Sequence, residues 1–168
     1  MQNFKHLSKK TIPIMLALVL FVLGVANFKQ SIPLSPRSTS ENIVVKDRWK
    51  EILTSEQYHV LREAGTEAPF TGELNHEKRK GTYYSVGCDK PLFRSEQKYD
   101  SGTGWPSFWA PIASDALVLR KETGLLDNRI EVLDTCGGHL GHVFDDGPEP
   151  TGKRYCINSI ALKFVQDK

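Results

Sequence analysis

Arg154-Tyr155-Cys156-Ile157-Asn158-Ser159-Ile160-Ala161-Leu162-Lys163-Phe164 is the stretch whose reading decides the fold. In an extended chain successive side chains alternate between faces, so Arg154, Cys156, Asn158, Ile160, Leu162 and Phe164 share one face. Along that face a polar trio gives way to apolar residues. The carboxyl-terminal half is therefore expected in the core, and the amino-terminal half at its rim, where it opens a small site. Cys156 carries chemistry there, because a cysteine attacks as thiolate and a nearby cation lowers the thiol pKa from its usual ~8.5. Arg154, two positions away on the same face, is the candidate cation.

Some fifteen residues upstream, Cys136-Gly137-Gly138-His139-Leu140-Gly141-His142-Val143-Phe144 brings two histidines within reach, side chains that move protons near neutral pH. In a regular strand His139 and His142 point to opposite faces. Gly141 between them is read as a bulge that restores them to one side. Taken alone, these residues fit a redox thiol, a metal-binding pair, or a cysteine hydrolase built on a Cys, His and Asn set.

Further out, Trp49, Ile52 and Leu53 fall on one helical face, and Thr54-Ser55-Glu56-Gln57 has the form of a capping box opening a second short helix. Tyr58, Leu61 and Arg62 continue that helix, and Gly65 is expected to end it as a left-handed residue. Beyond Gly72 the texture changes to strand-like runs at Thr82–Val86, Leu117–Arg120, Arg129–Leu133, Leu140–Phe144 and Tyr155–Val165. Turn signals such as Asp89-Lys90-Pro91 and Asp145-Asp146-Gly147-Pro148 separate most of them. Helices first and then a mostly antiparallel sheet predict an α+β domain, mainly β.

The composition fits one folded domain: 168 residues, 39% hydrophobic and 25% charged. The formal net charge of +2 misleads, because residues 1–40 hold five basic side chains (Lys5, Lys9, Lys10, Lys29, Arg37) and no acidic one. That leaves 17 of the 22 basic residues against all 20 acidic ones, a net charge of −3 from Glu41 onward. A mildly acidic domain without a basic cluster offers no footing for nucleic acid. The acidic turn at Asp145 and Asp146 falls short of the 6–8 oxygen ligands of a calcium site.

Lys5, Lys9 and Lys10 precede an uncharged apolar run from Ile12 to Ala26, with the small residues Gly24 and Ala26 where a signal peptidase reads. Fifteen helical residues cover roughly 22 Å of the ~30 Å hydrocarbon core. Residues 1–26 are thus expected to be a signal peptide or membrane anchor, with a possible tether through residues 12–26. Residues 27–43, rich in Ser and Pro, follow as a flexible linker, and residues 44–168 as the folded domain. This organisation places the domain outside the cytoplasm: periplasmic, secreted or membrane-anchored.

In order and spacing, Ser101-Gly102-Thr103-Gly104-Trp105-Pro106-Ser107-Phe108, His139-Leu140-Gly141-His142-Val143-Phe144 and Arg154-Tyr155-Cys156-Ile157-Asn158-Ser159 resemble the signatures of the B-type methionine sulfoxide reductases. Supporting stretches are Arg62-Glu63-Ala64-Gly65-Thr66-Glu67-Ala68-Pro69-Phe70-Thr71-Gly72 and Pro91-Leu92-Phe93, so the similarity runs from about Lys46 to Phe164. The resemblance implies reduction of the R epimer of methionine sulfoxide, free or in oxidised proteins. It also implies two small antiparallel sheets forming a partly open barrel, with short amino-terminal helices. By motif position Cys156 is the nucleophile, with His139, His142, Arg154 and Asn158 around it. Trp105 lines the pocket for the substrate's terminal methyl group, and Phe108 and Phe144 are expected to bind substrate too. The implied chemistry is thiolate attack on the sulfoxide sulfur, protonation of its oxygen by His142 or His139, and a sulfenic acid left on Cys156.

Two departures from the family pattern matter. Many members hold a structural zinc on two Cys-x-x-Cys pairs, where this chain reads Ser85-Val86-Gly87-Cys88 and Leu133-Asp134-Thr135-Cys136. Ser85 and Leu133 are poor substitutes for thiolate ligands, so no zinc and no other cofactor is expected. Cys88 and Cys136 would then sit close enough for a disulfide if their Cα atoms fall within ~7 Å, either structural or resolving the sulfenic acid. The second departure is Thr103, at the position where many relatives have a resolving cysteine, which favours an external thiol reductant such as a thioredoxin-like protein. For Thr103, Ser107 and Asp145 hydrogen bonding or turn formation is expected, and Glu67 is read as pairing with Arg62 or another cation. Two rival functions remain beside this reading: a Cys/His hydrolase, and a non-catalytic interaction module on the same fold.

Overall fold

The computed structural model describes residues 48–122 and 129–168, all within one compact unit. The expected signal peptide and linker lie outside the described residues, among which no helix is long and apolar enough to cross a membrane.

A helical segment over residues 48–52 leads into helix α1, Ser55–Glu63. Thr54 and Gln57 close the capping box reciprocally, the Gln57 N–H donating to Thr54 Oγ1 at 3.2 Å and the Thr54 N–H to Gln57 Oε1 at 3.0 Å. At the other end the left-handed residue is Ala64 (φ 54°), not Gly65 as expected. Gly65 lies under the exposed His59 ring: a Cβ there would lie 2.4 Å from it, and the ring would have to swing aside. Leu53, Tyr58, Val60 and Leu61 turn inward, whereas Ile52 is 59% exposed and leaves the face it was expected to share with Trp49 and Leu53. Trp49 is half-buried beneath the Arg62 guanidinium, 4.9 Å from its ring.

The rest is mainly β, in two antiparallel sheets. The smaller has the order β2-β1-β9, with β1 Gly81–Ser85, β2 Pro91–Arg94 and β9 Leu162–Gln166. The larger has the order β3-β4-β8-β7-β6-β5, with β3 Lys98–Tyr99, β4 Ser107–Phe108, β5 Val118–Lys121, β6 Ile130–Leu133, β7 His139–Phe144 and β8 Arg154–Ile157. The α+β reading holds, while the two sheets stay separate and open, without closing into a barrel.

The strand read from Tyr155 to Val165 is in fact two. It breaks at Asn158, makes a 3-10 turn over Ser159–Ala161, and resumes as β9 in the other sheet. The chain therefore crosses between sheets two residues after Cys156. The core fills the angle between them: Phe93 stacks on Phe108 with ring centroids 4.1 Å apart, and Tyr83 meets Phe108 edge-on at 5.0 Å. Leu61, Leu92, Val132, Leu140 and Ile157 complete it. Helix α1 packs against β7 and the Ser159–Ala161 turn, so it braces the segment that carries the histidines and the crossing at once.

Candidate active site

Cross-strand register builds the site. Directly opposite residues of an antiparallel pair share a face, and the larger sheet aligns Ser107 with Cys156, Cys156 with His142, His142 with Glu131 and Glu131 with Arg120. One polar row thus runs across five strands, with His142 in its middle and the candidate nucleophile beside it.

The bulge expected at Gly141 is present. Between β6 and β7 the register shifts so that Val132 faces Gly141 while Leu133 faces His139. Gly141 has φ 153°, and a Cβ on it would lie 2.0 Å from the Cys156 carbonyl oxygen, so only glycine fits. The extra residue brings the two imidazoles together, with ring centroids 5.4 Å apart at 65°.

A cleft of about 230 Å³ opens on this row, lined among others by Trp105, His142, Phe144, Cys156, Asn158 and Arg129. His139 does not line it. That ring is buried behind His142, with Nδ1 2.8 Å from the Glu131 carboxylate. Phe108 departs furthest from expectation: it is fully buried between Phe93 and Tyr83 and belongs to the core. Its place on β4 follows from Cys156's neighbour Ser107, since alternation sends the next side chain to the opposite face. A larger cavity of about 980 Å³ lies elsewhere, between α1 and β9, and carries no cysteine.

Burial pushes the Cys156 thiol above its ordinary pKa, and the opposing pull of Thr103 and then Arg154 does not overcome it. Arg154 therefore fails to make a resting thiolate. Its guanidinium is shared with the Asp146 carboxylate through two bonds of 2.8 and 2.9 Å, and it lies 4.4 Å from the Phe144 ring. Thr103 and Ser107 make the hydrogen bonding expected of them: the Thr103 hydroxyl is 3.9 Å from Cys156 Sγ and 2.8 Å from Ser101 Oγ, which in turn lies 2.7 Å from Ser107 Oγ. For His142, burial and the Arg129 cation hold the imidazole below its ordinary pKa, against the pull of Glu122, whose carboxylate is 3.3 Å from Nε2. At neutral pH the resting pair is thiol and neutral imidazole.

Asn158 is committed at both ends of its amide. Its Oδ1 accepts from the Glu67 N–H at 3.0 Å and its Nδ2 donates to the Leu140 carbonyl at 3.0 Å. Among the described residues Glu67 pairs with no cation; its carboxylate accepts the backbone N–H groups of Ser159 (2.6 Å) and Ile160 (3.0 Å), and its carbonyl accepts Trp105 Nε1–H at 3.1 Å. One loop residue thus fixes the aromatic wall of the cleft and the crossing that follows the nucleophile. Asp145 pairs with Lys153 at the turn before β8.

Outside the lining of the cleft, Cys88 and Cys136 form a disulfide with Cα atoms 6.0 Å apart. Asp134 organises that corner: Oδ2 accepts from Ser85 Oγ at 2.6 Å, and Oδ1 from the N–H groups of Cys136 and Gly138 at 2.9 and 2.8 Å. Leu133 is buried beside it.

Glu131, Glu122 and Arg129 are neighbours of the site that residue-by-residue reading passed over, and Asp146 was read only as part of an acidic turn. Glu131 alone left a signal, as an acid alternating with apolar residues in Ile130-Glu131-Val132-Leu133, where a core-facing carboxylate demands a partner.

Because Asn158 is spent on backbone groups, it orients neither histidine as a hydrolase would require. The fold and site define a thiol oxidoreductase. Residues 53–166 match the SelR domain family. The chain is 57% identical over 124 residues to the peptide methionine sulfoxide reductase MsrB of Methanosarcina barkeri, covering 73% of this chain and 87% of that one. To the proteins of that name from Pseudomonas putida and Leptospira interrogans it is 55% and 52% identical, covering 70% and 71% of this chain and 90% and 92% of theirs. The chain belongs to the SelR-domain family, that of the MsrB methionine sulfoxide reductases.

Proposed function

We propose that the chain reduces the R epimer of methionine sulfoxide through Cys156 alone. The observation that carries this reading is the placement of one free thiol opposite His142, beside Trp105, in a cleft of small-substrate size. The Cys156 sulfur attacks the sulfoxide sulfur and the S–O oxygen takes up a proton. Methionine leaves as the thioether, and Cys156 is left as sulfenic acid, so that thiol plus sulfoxide balances sulfenic acid plus thioether. A neutral thiol and a neutral imidazole suit this sequence, because the proton lost by Cys156 reaches the oxygen through His142 without a buried charge at rest. Trp105 offers the methyl group an apolar wall, and Phe144 continues it.

Regeneration needs two outside thiols, which convert the sulfenic acid to thiol, water and a disulfide. The chain has three cysteines, and with two of them joined no second free thiol exists to resolve the first. A thioredoxin-like donor fits this requirement. The residues at the Cys88–Cys136 corner do not suit a structural zinc. Cys88, Asp134 and Cys136 do bring donor atoms within 4.8 Å of one another, but the two sulfurs are bonded to each other, both Asp134 oxygens hold hydrogen bonds, and Leu133 has no ligand atom. Metal analysis of the purified protein should find well under one zinc per chain. A disulfide that persists and a lysine-flanked apolar run at residues 12–26 both favour an enzyme working outside the cytoplasm.

The test is an assay on the separated R and S epimers with dithiothreitol. Cys156→Ser should lose nearly all activity, and His142→Ala and His139→Ala each about 10²–10⁴-fold. Activity confined to the S epimer, or surviving in Cys156→Ser, would overturn the reading.

A further inference from the structure

Behind the cleft lies a buried acid that the chemistry above leaves unused. Glu131 on β6 is 1% exposed and His139 is 3% exposed. Glu131 Oε1 lies 2.8 Å from His139 Nδ1, while Oε2 accepts Arg120 Nε–H at 2.7 Å and lies 2.6 Å from Nη2. Burial pushes the Glu131 carboxyl up, but the bonds from His139 and Arg120 outweigh it and hold the group ionised below the usual range. At the far side of the same ring, His139 Nε2 is buried without a hydrogen-bond partner among the described residues. A buried polar atom in that condition calls for a reason, and proton transfer at that nitrogen supplies one.

We propose that Glu131 is a positioning residue for the reductase: it accepts the Nδ1–H of His139, and so fixes the tautomer whose free lone pair sits at Nε2. This rests on the reading that His139 moves a proton. An ionised carboxylate only accepts, so a neutral His139 must carry its hydrogen on Nδ1. During turnover Nε2 takes up, through His142, the proton released as the Cys156 S–H bond breaks, and returns it by the same route to the sulfoxide oxygen as the O–H bond forms; Glu131 offsets the imidazolium charge in between. Arg120 completes the device. Its guanidinium only donates, which pins Oε2 and prevents the carboxylate from turning away from the ring.

The donor-only character of Arg120 makes the proposal sharp. In Glu131→Gln the side chain has one oxygen for two donors. With that oxygen held by Arg120, the amide NH₂ faces Nδ1, and the His139 hydrogen must move to Nε2. Removing the guanidinium as well, in Arg120→Met/Glu131→Gln, frees the oxygen for His139 and should restore the Nδ1–H form. Arg120 is 64% exposed, so the methionine is accommodated at the surface.

The experiment is nitrogen-15 spectroscopy of histidine-labelled full-length protein, with His139 assigned by its loss in His139→Asn, alongside steady-state kinetics on the sulfoxide. Wild type should show Nδ1–H, and Glu131→Gln should show Nε2–H, with kcat down about 10²–10⁴-fold and KM within a few-fold. The double variant should recover the wild-type tautomer and at least tenfold of the lost kcat. An unchanged tautomer in folded Glu131→Gln overturns the proposal, as does a shifted tautomer with full kcat. If Glu131→Gln does not fold, the double variant decides through its own tautomer. Full activity in His139→Ala would instead remove the proton-moving role of His139, while the tautomer spectra still judge what Glu131 does to the ring.

Discussion

Cys156 is governed by the contest between burial and two donors. Burial prevails, so the thiol stays protonated near neutral pH even though the Thr103 hydroxyl and the Arg154 guanidinium favour the thiolate. Thr103→Val removes the hydroxyl while keeping the shape, and should raise the thiol pKa further. Alkylation by iodoacetamide at pH 7.5 would slow several-fold, and the rate–pH curve would move to higher pH. One pKa unit below the midpoint is tenfold in thiolate. Thr103→Ser should keep the wild-type curve, and an unshifted curve in Thr103→Val would assign the tuning to Arg154 alone. Arg154 could be placed beside Cys156 from strand alternation, but its strength could not: Asp146, eight residues back across the turn, takes both guanidinium bonds, and only the turn's closure reveals that.

Among the elements, β7 decides whether the histidines act together. A Cβ at Gly141 meets the Cys156 carbonyl in the neighbouring strand and demands an unfavourable backbone angle as well. Gly141→Ala is expected to cost at least about 1–3 kcal/mol in urea unfolding, and to lower activity more than Gly87→Ala, whose Cβ would meet only ordinary contacts at 3.5 Å and beyond. Equal effects of the two would mean the bulge tolerates a side chain. This bulge was legible from the glycine between two histidines, and α1 from its Thr-x-x-Gln cap. The break at Asn158 was not. Period-two alternation runs unbroken from Arg154 to Phe164, and what stops the strand is Glu67, 92 residues before the Ser159 N–H it binds. β3 and β4 escaped for another reason: two residues apiece are too few to show any period.

At the scale of the molecule, the site occupies the seam where the chain passes from the larger sheet to the smaller. Glu67 ties that seam from one side and α1 braces it from the other. The Cys88–Cys136 bond is a separate tie, joining the end of β1 to the approach to β7 across 48 residues of sequence. Chain-entropy reasoning gives a loop of that length about 4 kcal/mol, and measured disulfides typically give 2–4. Cys88→Ser/Cys136→Ser should therefore lower unfolding free energy by about 2–4 kcal/mol while leaving dithiothreitol-driven activity of the folded protein within a few-fold. Mass analysis under non-reducing conditions should find one free thiol in the wild type; three would remove the bond from the oxidised protein.

That bond also gives the chain a closed ring of sequence from 88 to 136, with Trp105 inside it and Cys156 outside. A protease that cuts once within the ring, beyond Trp105, leaves Trp105 on one fragment and the nucleophile on the other, yet the molecule remains covalently whole. The nicked protein would run as a single band until reduced, then as two.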